Sequence, residues 1–349
     1  MMSSEAGKVG PDHVVMSVDE VRELALKVLL QAGLSREQAG PVAEVITAGE
    51  RDECHSHGLY RLPGCVETVR HPRFVPDAVP VITEQSASVV RADARFGYSL
   101  PAFERALPTV VRQAREVGVS VLAINDCFHF AALWPEIEAI TAHGLAAIAM
   151  TPNHCWVAPT GGTRPILGTN PFAFGWPRGG DRPYVFDFAT SEIARGDIAL
   201  HKLAGKPIPL GWGIDQAGQP TTSAAAALAG AMLPFGGYKG SALATMVELL
   251  AGPLIGDLTS MESTAFDGGV NAAPCHGELI IALDPAFLGG GRTAAGHQGA
   301  EALFAAITGQ GARLPSQRRY EARERSMKDG VRVSRALHER IIALLDGPQ

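Results

Sequence analysis

Apolar residues recur at helical spacing through Val21, Leu24, Ala25, Val28 and Leu29 until Gly33 ends the run, and the stretch opens on Ser17-Val-Asp-Glu20, a capping-box pattern. This predicts a first helix. Ser35-Arg-Glu-Gln38 repeats the capping signature, and Val42, Val45 and Ile46 carry a second helix toward Arg51, with Pro41 in its early turns. A helical hairpin therefore precedes the polar segment Ser56-His57-Gly58-Leu59-Tyr60-Arg61. From about Val81 the pattern shortens to β-branched runs, Ala87 to Ala92 and Val119 to Asn125, with a helical stretch from Leu100 to Val117 between them.

Val119 to Asn125, Ala131 to His143 and Leu145 to Met150 follow in the strand, helix, strand order of a crossover unit, with Asp126 to Phe130 as its turn; strand direction is not fixed by the pattern. Residues 152–221 are dense in Gly and Pro around two short strands, Phe172 to Trp176 and Tyr184 to Phe188, and a helix from Ser191 to Leu203. Gly240 to Ala251 reads as a buried helix, Glu278 to Leu283 as a late strand and Ser334 to Leu345 as a closing amphipathic helix.

The chain has 349 residues, 46% hydrophobic and 19% charged, enough for a large core and about two domains. A net charge of -6 argues against nucleic acid as a partner, because tracking phosphates needs clustered cations. The one basic cluster, Arg313 to Arg325, is interrupted by Glu321 and Glu324 and can be a solvated surface. Five scattered cysteines without a C-x-x-C pair fit a reducing cytoplasm. The N-terminus has no apolar leader core, and no stretch approaches the roughly 20 apolar residues of a membrane span. A cytoplasmic chain with no membrane partner is expected.

His55 and His57 form an H-x-H pair that could serve a metal-dependent hydrolase, but no cluster of further ligands completes a metal set, and none is predicted. Ser56-His57 can instead handle a proton, given a distant carboxylate to orient the ring. Arg61 stands four residues after His57, on the same face if the segment is helical, and its fork suits a carboxylate; alone, both are also ordinary residues. Phe235-Gly-Gly-Tyr-Lys-Gly-Ser241 is no Walker loop, yet a glycine turn, a Lys and a helix N-terminus together favour an anion. No G-x-G-x-x-G lies between a strand and a helix, so no Rossmann fingerprint is present.

Six motifs in order, Ser56-His57-Gly58, Leu167-Gly-Thr-Asn-Pro171, Asp187-Phe-Ala-Thr190, Gly236-Gly-Tyr-Lys-Gly240, Glu248-Leu-Leu-Ala-Gly-Pro253 and Arg313-Leu-Pro315, resemble the malate/L-lactate dehydrogenase-like oxidoreductases over nearly the whole chain. Tyr60-Arg-Leu-Pro-Gly-Cys65, His129-Phe-Ala-Ala-Leu-Trp-Pro135 and Pro253-Leu-Ile-Gly-Asp257 are most similar to the branch of that family formed by Δ1-piperideine-2-carboxylate/Δ1-pyrroline-2-carboxylate reductases. The resemblance implies an α/β, non-Rossmann NAD(P)-binding fold: a largely antiparallel sheet flanked by helices over 81–299, and a helical, substrate-side domain from 1–80 with 300–349. It implies a homodimer that reduces a cyclic imine carboxylate with NADPH, or that acts as a 2-hydroxy acid dehydrogenase on a keto acid.

On this resemblance Ser56, His57 and Asp187 form a relay with His57 as proton donor, and Arg61 and Thr169 contact the substrate. Cofactor contacts fall on His129, Phe130, Ala131, Ala132 and Leu133, on Asp187, Phe188 and Ala189, and on Tyr238 and Lys239. A last group is Arg313, Leu314, Pro315, Ser316, Gln317, Arg318 and Arg319, where the basic cluster becomes a phosphate clamp. Position 238 departs from the family, which carries His before the Lys. A phenol donates one hydrogen bond but cannot become a cation, so NADH is admissible beside NADPH.

Overall fold

The computed structural model describes residues 12–180 and 182–345, so the N-terminal residues read above for a leader lie outside the described part. The chain opens with β1 (His13–Met16), α1 (Val18–Gln31), α2 (Arg36–Arg51) and α3 (Leu62–Val69). Ser17 and Glu20 close the predicted capping box on α1. At α2 only half of it forms. Ser35 caps Gln38, but the Gln38 side chain turns into the core, where it donates to the Ala78 carbonyl and accepts from Tyr98 N–H.

Next come β2 (Val81–Ser86), β3 (Val89–Asp93), α4 (Ser99–Val117), β4 (Val119–Phe128), α5 (Trp134–Thr141), β5 (Ala146–Met150), β6 (Phe172–Trp176) and β7 (Tyr184–Phe188). The run expected at 87–92 is in fact the second arm of a hairpin whose first arm, β2, is largely exposed and carries too few apolar residues to show in the pattern. The turn expected at 126–130 begins later, because β4 continues through Asp126 (φ 51°) to Phe128.

A smaller lobe holds α6 (Arg195–Leu203), β8 (Gly213–Ile214), α7 (Ala224–Ala229) and β9 (Ala231–Met232). α6 starts four residues after the predicted Ser191, since Ser191 pairs with Pro234 in an isolated bridge and donates to the Ile193 carbonyl. The chain then runs through α8 (Tyr238–Ala251), α9 (Ser260–Asp267), β10 (Cys275–Leu283), α10 (Pro285–Gly289), α11 (Thr293–Thr308), α12 (Gln317–Asp329), β11 (Val331–Ser334) and α13 (Arg335–Leu345). α8 is buried on one face only, through Ala244, Val247 and Ala251, while Leu249 is exposed. α11 runs across residue 300, where the sequence reading divides the domains.

Seven strands form one sheet in the order β2-β3-β4-β10-β5-β6-β7, antiparallel at every pair except β3 with β4, which α4 connects. β10 lies between β4 and β5 and is antiparallel to both, so the predicted crossover through α5 skips one strand. Alternate residues of β10 face opposite layers: Ile280 and Ala282 pack under α4 and α5, and Leu279 packs against Val247 and Ala251 of α8. Removing each such Leu or Ile from water contributes about 1.5–3 kcal/mol. The helical end has its own core, in which Leu24, Val28, Val42 and Ile46 meet Leu59, Leu62, Val331 and Ile341 from both ends of the chain. Among the described residues no single helix is long and apolar enough to cross a membrane.

Candidate active site

The end of α2 shapes the Ser-His-Gly segment. Glu50, almost wholly buried, accepts from Leu59 N–H at 2.8 Å with one oxygen and faces His55 Nδ1 at 2.8 Å with the other. The turn lies so close that a Cβ on Gly49 would stand 2.6 Å from the His57 carbonyl oxygen, and one on Gly58 would stand 2.3 Å from Glu50. The segment is not one helix: two 3-10 turns, His55–His57 and Leu59–Arg61, are broken at Gly58. The four-residue spacing of His57 and Arg61 therefore does not follow from helical pitch.

His57 Nδ1 lies 3.2 Å from Ser56 Oγ, and the ring meets Trp134 edge-on with centroids 6.2 Å apart. Burial, then the Arg61 charge, then His129 push the His57 pKa down to about 3, so the free imidazole is neutral. His55 Nδ1 faces Glu50, whereas His57 Nδ1 faces Ser56, so the two imidazoles are held by different partners. Arg61 has a buried Nε without a hydrogen-bond partner and forms no ion pair among the described residues. Its own pKa is lowered, chiefly by burial.

Asp187 sits at the end of β7 and accepts from Leu133 N–H at 2.8 Å and Trp134 N–H at 3.1 Å, the start of α5. Burial raises its pKa to about 6 against those two bonds and the Arg319 charge. Among the described residues no hydrogen bond joins Asp187 to His57; Asp187 meets the Trp134 backbone N–H and His57 the Trp134 ring, so the predicted relay is not closed. Thr169 is anchored beside this strand end: its carbonyl accepts from Thr190 N–H at 2.8 Å and its hydroxyl from Asn153 at 3.1 Å. The next residue, Asn170, holds its φ of 34° by donating to the Ala244 carbonyl and, at 2.7 Å, to buried Glu248.

The other predicted contacts converge on the same strand end, but unevenly. Ala131, Ala132 and Leu133 are buried and Phe130 packs on Tyr98, so these side chains belong to the cores and only the backbone of the turn can meet a ligand. His129 is buried with Nε2 unpartnered. Phe188 is half exposed and stacks on Phe186; Ala189 is partly covered beside it. Phe235 N–H donates to the Thr190 carbonyl, placing the Gly236-Gly237 turn (φ 56° and 62°) and the start of α8 next to β7. No side chain caps α8 and no acid stands in its first turn; Tyr238 and Lys239 are exposed there.

The Arg313–Arg319 segment splits across this edge of the sheet. Ser316 caps the Val185 carbonyl, whereas Leu314, Pro315 and Gln317 line a cleft of about 380 Å³ with Tyr184 and Phe304, on the face away from Asp187. Arg319 is no free phosphate clamp. It pairs with Glu138 at 2.7 Å and Asp52 at 3.4 Å and lies over the Trp134 ring, while Arg323 binds the same two acids. Arg313 and Arg318 are exposed and form no ion pair among the described residues.

Sequence reasoning missed the start of α6. A Cβ on Gly196 would lie 3.4 Å from the Ser56 Cβ, Asp197 acts on the Arg61 charge, and Arg195 stacks over Trp156 at 3.6 Å with no carboxylate partner. Burial lowers the Arg195 pKa to about 10. Nothing local marks these residues, because their neighbours in space, Ser56, Arg61 and Trp156, are distant in sequence.

The donor set fits a nucleotide: an uncapped helix start with a Lys beside the edge strand, and a carboxylate held by two backbone N–H groups at that strand's end. A family model described as malate/L-lactate dehydrogenase matches residues 16–342. The chain is 58% identical over 334 residues to Δ1-pyrroline-2-carboxylate reductase 1 of Burkholderia ambifaria, covering 96% of this chain and 98% of that protein. It is 59% identical over 335 residues to the Δ1-pyrroline-2-carboxylate reductase of Pseudomonas fluorescens, covering 96% and 99%. The crystal structure of the Δ1-piperideine-2-carboxylate reductase from Pseudomonas syringae pv. tomato matches with a TM-score of 0.89 and 40% identity, over 95% of this chain and 99% of that one.

Proposed function

The chain belongs to the malate/L-lactate dehydrogenase family, and from that premise we propose that it is an oxidoreductase that reduces Δ1-pyrroline-2-carboxylate and Δ1-piperideine-2-carboxylate to the cyclic amino acids. Arg61 carries this reading: a half-buried guanidinium whose buried Nε has no partner and which forms no ion pair among the described residues, beside a neutral His57, is a site prepared for an anionic substrate.

A bound nicotinamide supplies the hydride. The protein's part is orientation and proton handling. Arg61 holds the substrate carboxylate, with Thr169 and the start of α6 closing the pocket around the ring. Pairing of that carboxylate with Arg61 removes one of the charges that keep His57 neutral, so substrate arrival raises the His57 pKa and readies it, with Ser56, to protonate the imine nitrogen. Asp187 fixes the start of α5, and through Trp134 the plane against which His57 stands.

NADPH is the cofactor we propose. Lys239, Arg313 and Arg318 are the cations free to meet a 2′-phosphate, since Arg319 is held by Asp52 and Glu138. The active form is a homodimer that buries Leu249, Leu254 and Met261, large apolar side chains exposed on α8, the turn after it and α9. Five unpaired cysteines suit a reducing compartment and a cytoplasmic enzyme. The test is NADPH oxidation with each cyclic imine carboxylate. Turnover of malate or lactate with NAD, and none of the imines, would replace this reading with the hydroxy-acid one.

A further inference from the structure

Beneath the turn that carries Trp134, three residues bring unpaired polar atoms together. Glu278 projects from the middle of β10 on the strand face that packs under α4 and α5, Glu136 lies in the first turn of α5, and His129 follows β4. One ligand-type atom from each lies within 4.8 Å of the others, and His129 Nε2 is 3.9 Å from Glu278 Oε2. They are 5%, 1% and 0% exposed for His129, Glu136 and Glu278, and neither His129 Nε2 nor any of the four carboxylate oxygens has a hydrogen-bond partner among the described residues.

Among the described residues no Arg or Lys pairs with either acid. Glu136 feels Glu278 and Asp187; Glu278 feels Glu136, with Ser99 from α4 and Cys127 from β4; the His129 ring lies 6.1 Å from that of His276, is acted on by the Arg61 charge, and acts in turn on His57. Two carboxylates this close, both out of water and without a cation, cannot both stay ionised. Burial pushes both upward, and Glu278 and Asp187 raise Glu136 further, while Glu136 and Ser99 oppose the rise of Glu278. Burial holds His129 down at about 4, so the imidazole is neutral and able to accept a proton.

The reaction proposed above consumes one proton for each hydride delivered, and the inference here rests on that reading. We propose that Glu136 and Glu278 share a single proton and, through His129, form the internal store that recharges His57 at each turnover. The hydride brings two electrons and a hydrogen to the imine carbon; the C=N π pair moves to nitrogen and takes the proton from His57. His57 regains one from the carboxyl pair by way of His129, and the pair recovers its proton from solvent after product leaves. Neither glutamate touches substrate, so both are positioning residues.

Infrared spectra of the wild-type protein at pH 7, in H2O and in D2O and without substrate, are expected to show a protonated-carboxyl band that shifts with deuterium and is lost in Glu136→Gln/Glu278→Gln. In steady state, Glu278→Gln is expected to lower kcat by roughly 10- to 100-fold toward alkaline pH, with KM for the imine and NADPH binding held within about twofold. Glu278→Asp, which keeps a carboxyl, is expected to restore the profile in part. Absence of the band overturns the shared proton whatever the substrate. A band with an unchanged pH profile in Glu278→Gln overturns the store, as does an equivalent of zinc or manganese in the purified protein that disappears in that variant. A band without imine turnover by the wild type refutes the reductase reading and the store's role with it.

Discussion

Arg61 and His57 share one electrostatic field: the guanidinium forms no ion pair among the described residues, Asp197 acting on it without a direct contact, and its charge is the largest influence after burial in keeping the imidazole neutral. A charge left unpaired in the interior costs stability and is kept for what it binds. Arg61→Met should therefore raise the melting temperature while raising KM for the imine carboxylate by about 10- to 100-fold, the worth of a charged hydrogen-bonded pair. The same variant should move the His57 titration upward from about 3, read from histidine NMR. A His57 resonance that titrates unchanged in Arg61→Met would dissolve the coupling.

His57→Ala should lower kcat by about 10²- to 10⁴-fold, the range of a lost general acid, and leave NADPH binding near wild type. Cofactor fluorescence titration alongside initial rates separates the two. Equal activity in the variant would take His57 out of the mechanism.

The role of Arg319 separates from that of Arg318. Arg318→Ala is expected to raise KM for NADPH several-fold and leave KM for NADH unchanged, whereas Arg319→Ala is expected to lower the melting temperature by removing one of the arginines that Asp52 and Glu138 share. A loss of NADPH preference in Arg319→Ala at unchanged stability would reverse the assignment.

Asp52 is fully buried and bound by Arg51, Arg319 and Arg323. Burial raises its pKa, but the bonds from Arg323 and Arg51 outweigh burial and the net shift is downward. The carboxylate thus contributes stability that is complete above the ordinary Asp range and is lost as pH falls through the lowered folded value. Asp52→Asn should cost about 3–5 kcal/mol at neutral pH by stranding the arginines. The gap in urea midpoint between variant and wild type should shrink on acidification; a gap independent of pH would count against the ionised pair.

Gly49→Ala tests how tightly the catalytic turn is seated. The new methyl would lie 2.6 Å from a backbone oxygen that has no flexible end to swing away, so the His57 segment must move. A drop in kcat of about tenfold or more together with reduced stability is expected, since small displacements in a site cost rate steeply. Wild-type kinetics in this variant would show the turn to be loose.

Much of the architecture could be read wherever local pattern and final environment agree. Ser17 with Glu20, the bounds of β6 and β7, and the buried stripe of α1 follow from neighbours in sequence. β2 escaped because an exposed edge strand needs no apolar alternation, and α6 was started early because Ser191 spends its hydroxyl on Ile193 rather than on a cap. In the site, His57, Arg61 and Asp187 were visible as motif residues, but the pairing of Arg319 with Asp52 joins positions 267 residues apart and leaves no local trace. Glu136 and Glu278 were invisible for a similar reason: a buried acid inside an apolar run looks like a break in the pattern until its partner is known.

The place of β10 governs the order in which this chain can mature. β4 and β5, made by residue 150, have no direct pairing with each other and must await Cys275–Leu283 to fill the gap between them. Until that segment leaves the ribosome, both strands expose open edges to neighbouring nascent chains. Truncation before residue 275 is therefore expected to yield insoluble product, read from the soluble fraction on expression.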